Sequence, residues 1–234
     1  MATSTSSGAG SVRWAVARIR EMITVMELLP GQQIRQEDMA SRLSVSRAPI
    51  REALGILQSE GVLDYQRNVG YSVKRLTVQD LEQAYLMRRV LEKEVITALP
   101  DLTDEQLEEL ENINGRIKQA GEDADVLTIQ RLNNDFHFYI FRASGLDLIV
   151  DELRRIWSLT EAYRSVYLHE AEARERIVHE HASIVDALRR GDRDAVVELS
   201  DQHRSKVPSR LAAVFPGGRA RTPAGAAEES RPER

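Results

Sequence analysis

The stretch Leu43-Ser44-Val45-Ser46-Arg47-Ala48-Pro49-Ile50-Arg51-Glu52-Ala53-Leu54 reads as a tight turn followed by a helix carrying two arginines near its N-terminus. Ser46 is a favoured cap, able to accept a bond from an otherwise unpaired backbone N–H, and Pro49 lies in the first turn, where a missing N–H costs little. Ile50, Ala53, Leu54 and Leu57 form an apolar stripe at helical spacing, and Arg51 falls about 100° from its centre. Arg47 and Arg51 are thus free to reach outward, as a helix built to enter a DNA groove requires.

Upstream, Gln36 to Leu43 reads as a short helix with Met39, Ala40 and Leu43 inward, preceded by a break at Leu29-Pro30-Gly31. Downstream, Gly61 is placed to end the second helix. Val62-Leu63-Asp64-Tyr65 and Tyr71-Ser72-Val73-Lys74 then read as two short strands around Gln66 to Gly70. Helix, turn, helix and hairpin wing follow in order. A generic helix-turn-helix pattern also suits a small helical domain whose arginines only solvate it, but the wing argues against that reading.

Leu29 to Val73 resembles the winged-helix domain of the GntR superfamily of bacterial regulators, through LPG, VSRAPIREAL, LQSEGVL and a wing ending in VGYSV. The resemblance implies that Arg47 and Arg51 contact bases and phosphates and that Gly70 is the wing-tip glycine approaching the minor groove. Arg42, Ser46, Arg47, Pro49, Arg51, Arg67 and Gly70 are therefore the candidate DNA-facing residues. Glu37 departs from the pattern, since some members carry a DNA-contacting arginine there.

Composition limits the alternatives. At 234 residues the chain accommodates two modest domains. It has no cysteine, which rules out disulfides, thiolate metal sites and cysteine nucleophiles and suits a reducing cytosol. Met1 to Gly10 has neither charge nor an apolar core, and no run approaches the ~20 apolar residues of a membrane helix, so a cytoplasmic protein without membrane contact is expected. Residues 1–10 and 216–234 read as disordered tails. The net charge is −5, but residues 11–76 hold ten basic against seven acidic residues, while 77–215 are strongly acidic. DNA affinity comes largely from phosphate neutralisation, so the basic segment is the one expected on DNA.

From Thr77 to residue 215 the pattern is helix after helix. Thr77 to Asp80 is a capping-box start, and Leu102 to Leu107 adds a cap with a hydrophobic staple. Further helices run from about Asp125 to Ser144, from Leu146 to Glu172, up to Gly191, and from Asp192 until they fade after Pro208, giving six in all. The fold expected is mainly α, a winged helix-turn-helix with a small β-hairpin followed by an all-α six-helix bundle.

The chemistry of the bundle lies in its histidines. His137 shares a stripe with Ile129, Ile140 and Phe141, His181 with Ile184, Val185 and Leu188, and His203 with Val196, Leu199 and Val207. One inward histidine is most often a satisfied core residue, but three on three helices favour a divalent transition metal. Asn133, four residues before His137, lies on the same face and offers an oxygen, whereas Asp135 is about 200° away from that face. His169 and His179 have polar or mixed neighbours and read as exposed.

This half resembles the FCD domain, the C-terminal ligand-binding domain of FadR-type GntR regulators, from about Asp80 to His203. Tyr85 to Glu92, Asn133-Asn134-Asp135-Phe136-His137 and Ala143-Ser144-Gly145 carry the likeness. It implies an aspartate and three histidines around a metal in an effector pocket. Asn133 stands at the aspartate position, which leaves more of the metal charge for an acidic ligand to balance. Zinc is the metal expected, with nickel or manganese as alternatives.

The function expected is a transcriptional regulator, a repressor, that binds a near-palindromic double-stranded DNA operator as a homodimer and is released by a small organic acid. Arg88 is the candidate effector cation, against a reading as a surface arginine. The competing classes are a metal-dependent hydrolase and a DNA-binding protein with purely structural histidines. No HExxH, nucleophile elbow or phosphate loop supports the hydrolase.

Overall fold

The computed structural model describes residues 8–214. The N-terminal unit runs α1 (Gly8–Thr24), β1 (Gln33–Ile34), α2 (Gln36–Arg42), α3 (Arg47–Ser59), β2 (Leu63–Gln66) and β3 (Gly70–Val73). Ile50, Ala53, Leu54 and Leu57 of α3 are wholly buried, beside Ala15 and Ile19 of α1, so the apolar stripe does the packing it was read for. The strands form one antiparallel sheet in the order β1-β3-β2. Two residues are too few to show alternation, which is why β1 left no trace in the sequence pattern. Tyr65 and Tyr71 face each other across the wing with ring centroids 4.9 Å apart.

Ser46 is at the N-cap of α3, yet its side chain makes no capping bond. The reason is Pro49, the third helical residue, which has no N–H to donate. Residues 8–10, expected in a tail, form the first turn of α1, where extending an anchored helix is cheap. Residues 1–7 and the expected tail at 216–234 lie outside the described residues.

Among the described residues seven helices, not six, make up the C-terminal unit: α4 (Val78–Thr97), α5 (Asp104–Glu122), α6 (Val126–Arg142), α7 (Asp147–Leu159), α8 (Glu161–Leu168), α9 (Ala171–Arg189) and α10 (Arg193–Val214). The single helix expected over 146–172 is broken at Thr160. There the Arg164 guanidinium takes the Trp157 carbonyl at 2.6 Å and the buried Thr160 Oγ1 at 2.9 Å, diverting acceptors from the helical ladder. α10 continues beyond Pro208, where one missing N–H does not end it.

α5 packs between α6 and α9, and α10 lies across α4 and α9. Leu110, Ile129, Phe136, Leu153 and Val196 are fully buried at the centre of the bundle. The N-terminal core extends into the bundle through Leu81 and Tyr85 of α4 and Ala162 and Tyr163 of α8. The two units therefore share a packed seam.

The cap geometries make a testable contrast. Thr103 at the start of α5 accepts from the Gln106 N–H and Gln106 Oε1 accepts from the Thr103 N–H, a complete capping box. Thr103→Ala is expected to cost about 1 kcal/mol of unfolding free energy, and Ser46→Ala much less. Chemical denaturation of both variants checks this, and equal losses would contradict the capping assignment.

Candidate functional site

The outward face of α3 carries Arg47 and Arg51, both exposed, with Arg67 exposed on the wing. Arg51 makes no ion pair among the described residues. Arg47 is held by Glu37 of α2 at 2.8 Å, and Arg42 by Glu27 at 2.5 Å. Glu37 therefore does more than replace a cation; it occupies one. Both partners of the Glu37 pair are about two-thirds exposed, so a phosphate can compete for the guanidinium. At the wing tip Gly70 has φ +98°, and a Cβ there would meet nothing within 4 Å. Its requirement for glycine comes from the left-handed backbone, not from crowding.

In the bundle, His137 of α6, His181 of α9 and His203 of α10 converge. The Nε2 of His137 lies 3.2 Å from that of His203 and 3.3 Å from that of His181. His181 is stacked on Phe136, centroids 3.9 Å apart, and His137 packs against Trp157 of α7 at 5.0 Å. His203 Nδ1 is 2.7 Å from Glu180 Oε2, a carboxylate that fixes its tautomer. Burial, then the neighbouring imidazoles, holds His137 and His181 well below the usual histidine pKa, so both are neutral with lone pairs to offer. Asn133 is buried beside them on α6 and its Oδ1 has no hydrogen-bond partner. His169 and His179 are exposed, and Asp135 lies on the outer side of α6, as their spacing indicated.

Arg88 is 3% exposed, which removes the surface reading. Its guanidinium lies over the Trp157 ring at 4.0 Å, and its Nε donates to Glu92 Oε1 at 2.8 Å. Glu92 also accepts from Trp157 Nε1 at 3.1 Å and from Arg204. Burial alone would raise the Glu92 pKa, but Arg88 and Arg204 outweigh it and keep the carboxylate ionised. The Arg164 guanidinium also lies over the Trp157 ring, 4.6 Å from its centroid. The sequence offered Arg88 alone; nothing local marked Glu92, Arg164, Arg204 or Trp157 as its company.

A winged helix-turn-helix joined to a helical bundle with a polar, histidine-lined centre is the build of a DNA-binding transcriptional regulator. Residues 13–73 match the model for bacterial regulatory proteins of the gntR family, and residues 83–206 match the FCD domain. The chain belongs to the GntR family, in the architecture of its FadR-like members. It is 28% identical over 199 residues to an HTH-type transcriptional regulator in an unstable DNA locus of Streptomyces ambofaciens, covering 85% of this chain and 80% of the relative. The HTH-type transcriptional regulator McbR of Escherichia coli is 25% identical over 194 residues, 79% of this chain and 87% of that protein. The gluconate operon transcriptional repressor of Bacillus licheniformis is 29% identical over 189 residues, 77% and 76% of the two chains. The solved structure of E. coli McbR/YncC superposes with a TM-score of 0.75 at 21% identity, covering 87% of this chain and 98% of that one. These relatives are regulators and not enzymes, and the hydrolase reading has no support. No helix among the described residues is long and apolar enough to cross a membrane.

Arg47→Ala and Arg51→Ala are each expected to weaken specific DNA binding by about 1–3 kcal/mol without loss of fold. Glu37→Gln should strengthen it by releasing Arg47. Titration of each variant against operator DNA at several salt concentrations tests the face, and unchanged affinity in both arginine variants would remove α3 from the interface.

Proposed function

We propose that the protein is a repressor that binds a near-palindromic operator as a two-fold dimer and leaves it when a small carboxylate ligand enters the bundle beside a metal held by His137, His181, His203 and Asn133. The observation that carries this is the convergence of three imidazole Nε2 atoms, those of His137, His181 and His203. A neutral imidazole has one N–H, so three Nε2 atoms turned toward one another cannot all be satisfied among themselves. Zn–N bonds of about 2.0–2.1 Å in tetrahedral geometry set ligand nitrogens roughly 3.3 Å apart. The separations of 3.2 and 3.3 Å match that requirement, and the orphaned Asn133 Oδ1 supplies a fourth donor. When bound, the metal supplies a Lewis-acidic anchor for an oxygen ligand.

The guanidiniums of Arg88, Arg164 and Arg204 are buried in the bundle, where Arg88 pairs with Glu92 and Arg204 with both Glu92 and Asp201. Cationic side chains inside the bundle suit an anionic ligand, and the relative named for the gluconate operon is consistent with a carboxylate. Arg88 keeps its proposed place at the ligand through its stacking on Trp157. Two half-sites one helical turn apart need a two-fold protein. Leu86, Met87 and Val90, 51%, 43% and 52% exposed on α4, give the bundle an apolar face for pairing. Antiparallel packing of two such helices sets Leu86 of one copy near Val90 of the other.

Elemental analysis tests the metal centre. The purified chain should carry one divalent metal, His137→Ala, His181→Ala and His203→Ala should each lose it, and His179→Ala should keep it. Asn133→Asp should bind zinc more tightly, a carboxylate being the stronger ligand. Full occupancy in the three core variants would show the histidines to be structural. Thermal-shift screening of organic acids with zinc present should then find ligands that raise the melting temperature by mass action.

A further inference from the structure

Arg20 of α1 serves two carboxylates at once. One of its terminal nitrogens donates to Glu161 Oε2 at 2.7 Å and the other to Glu60 Oε2. Glu60 is the C-cap of α3, the helix that carries Arg47 and Arg51. Glu161 opens α8 in the bundle, directly after the break at Thr160. The Arg20 side chain is 25% exposed and that of Glu161 11%, so the interdomain arm is shielded well beyond an ordinary surface pair.

The break itself joins this pair to the histidine centre. Trp157 contacts His137, its carbonyl is held by Arg164, and Glu161 follows four residues later. Two residues beyond Glu161, the Tyr163 hydroxyl accepts from the Leu76 N–H at 2.6 Å, gripping the segment between the wing and α4. Beside the packed part of the seam at Leu81, Tyr85, Ala162 and Tyr163 the fit is open. A cavity of about 520 Å³ lies between α1 and α6, lined by Arg20, Thr24, Gln130, Asn134, Asp135 and Glu161. At its edge the directed polar contact of Arg20 adds to the apolar packing in setting how the two units sit.

We propose that Arg20 is a positioning residue for DNA recognition, a clasp that fixes the end of the recognition helix to the first turn of α8 and transmits the state of the histidine pocket to the DNA-reading face. The transmission rests on the ligand-pocket reading above; the clasp does not. A shift of Trp157 moves the break at Thr160, and with it Glu161. The guanidinium follows its carboxylate and pulls on Glu60, so the direction of α3 depends on the bundle. Arg20 touches no DNA in this scheme and acts only through α3.

Because the chain has no cysteine, spin labels can be placed at Ser41→Cys on α2 and Arg116→Cys on α5, both exposed, in the full-length protein. Labelled chains diluted with unlabelled protein report the distance between the two units. Glu161→Gln keeps the shape and removes the charge. It is expected to shift or broaden that distance and to weaken operator binding about fivefold or more, the scale of coupling between sites. Its zinc affinity should stay at the parental value, which a collapsed bundle would not allow. Its operator affinity should no longer respond to zinc. Glu60→Gln, which leaves the interdomain arm in place, should keep the parental distance. Arg20→Gln cuts the arm from the other side and should reproduce Glu161→Gln, so a folding defect in one variant does not decide the question. Parental distances and operator affinity in Glu161→Gln or Arg20→Gln would overturn the clasp. If the parent's operator affinity ignores removal and return of zinc, transmission from the metal-loaded pocket fails, while the label distances still judge the clasp.

Discussion

Three helices of the bundle must cross so that one imidazole from each meets at a single point in a dry interior. That constraint organises the C-terminal unit. Phe136 stacks on His181 and Trp157 flanks His137, so the rings are fixed by aromatic contacts before any ligand is considered. Glu180 orients His203 from its far side. Neutral imidazole tolerates burial where imidazolium would not, and the depressed pKa values of His137 and His181 express that preference.

Glu92 is the second fixed point. One carboxylate from α4 accepts from Arg88 on its own helix, Trp157 on α7 and Arg204 on α10, tying three elements at one buried charge. Removing the carboxylate would take from Arg88 its ion-pair partner and leave Arg204 with Asp201 alone, which is far costlier in a buried setting than the loss of an exposed pair. The group also explains how a bundle interior accommodates so much charge beside the histidines. The Trp157 ring carries the guanidiniums of Arg88 and Arg164, while Glu92 and Asp201 balance Arg204.

Much of this was legible in the chain, and the physical reasons are specific. The recognition helix showed because Ile50, Ala53, Leu54 and Leu57 obey the helical period and are buried as that period demands. The histidine centre showed because His137, His181 and His203 each share an apolar stripe on a separate helix. What stayed hidden depends on contacts distant in sequence. Arg164 breaks the helix expected over 146–172 by reaching back to carbonyl and hydroxyl groups, a competition no periodicity reveals. Ser46 was read as a working cap because its type and place were right, although Pro49 leaves that cap without its usual donor. Arg20 looks like any helix-surface arginine until Glu60 and Glu161, 40 and 141 residues away, are brought to it.

The N-terminal unit shows the same economy of charge on its DNA-reading side. Its arginines outnumber its carboxylates only slightly, and Glu27 and Glu37 already engage Arg42 and Arg47. Binding DNA therefore exchanges protein carboxylates for phosphates at some positions, so the electrostatic gain at those positions is smaller than the arginine count suggests. The unit must then rely on accurate placement of α3 and the wing on the DNA. A small displacement of α3 forfeits base contacts that a strongly basic surface would offset through phosphates. The Arg20 contact spanning the two units bears directly on that placement, because its second arm ends on the C-cap of α3.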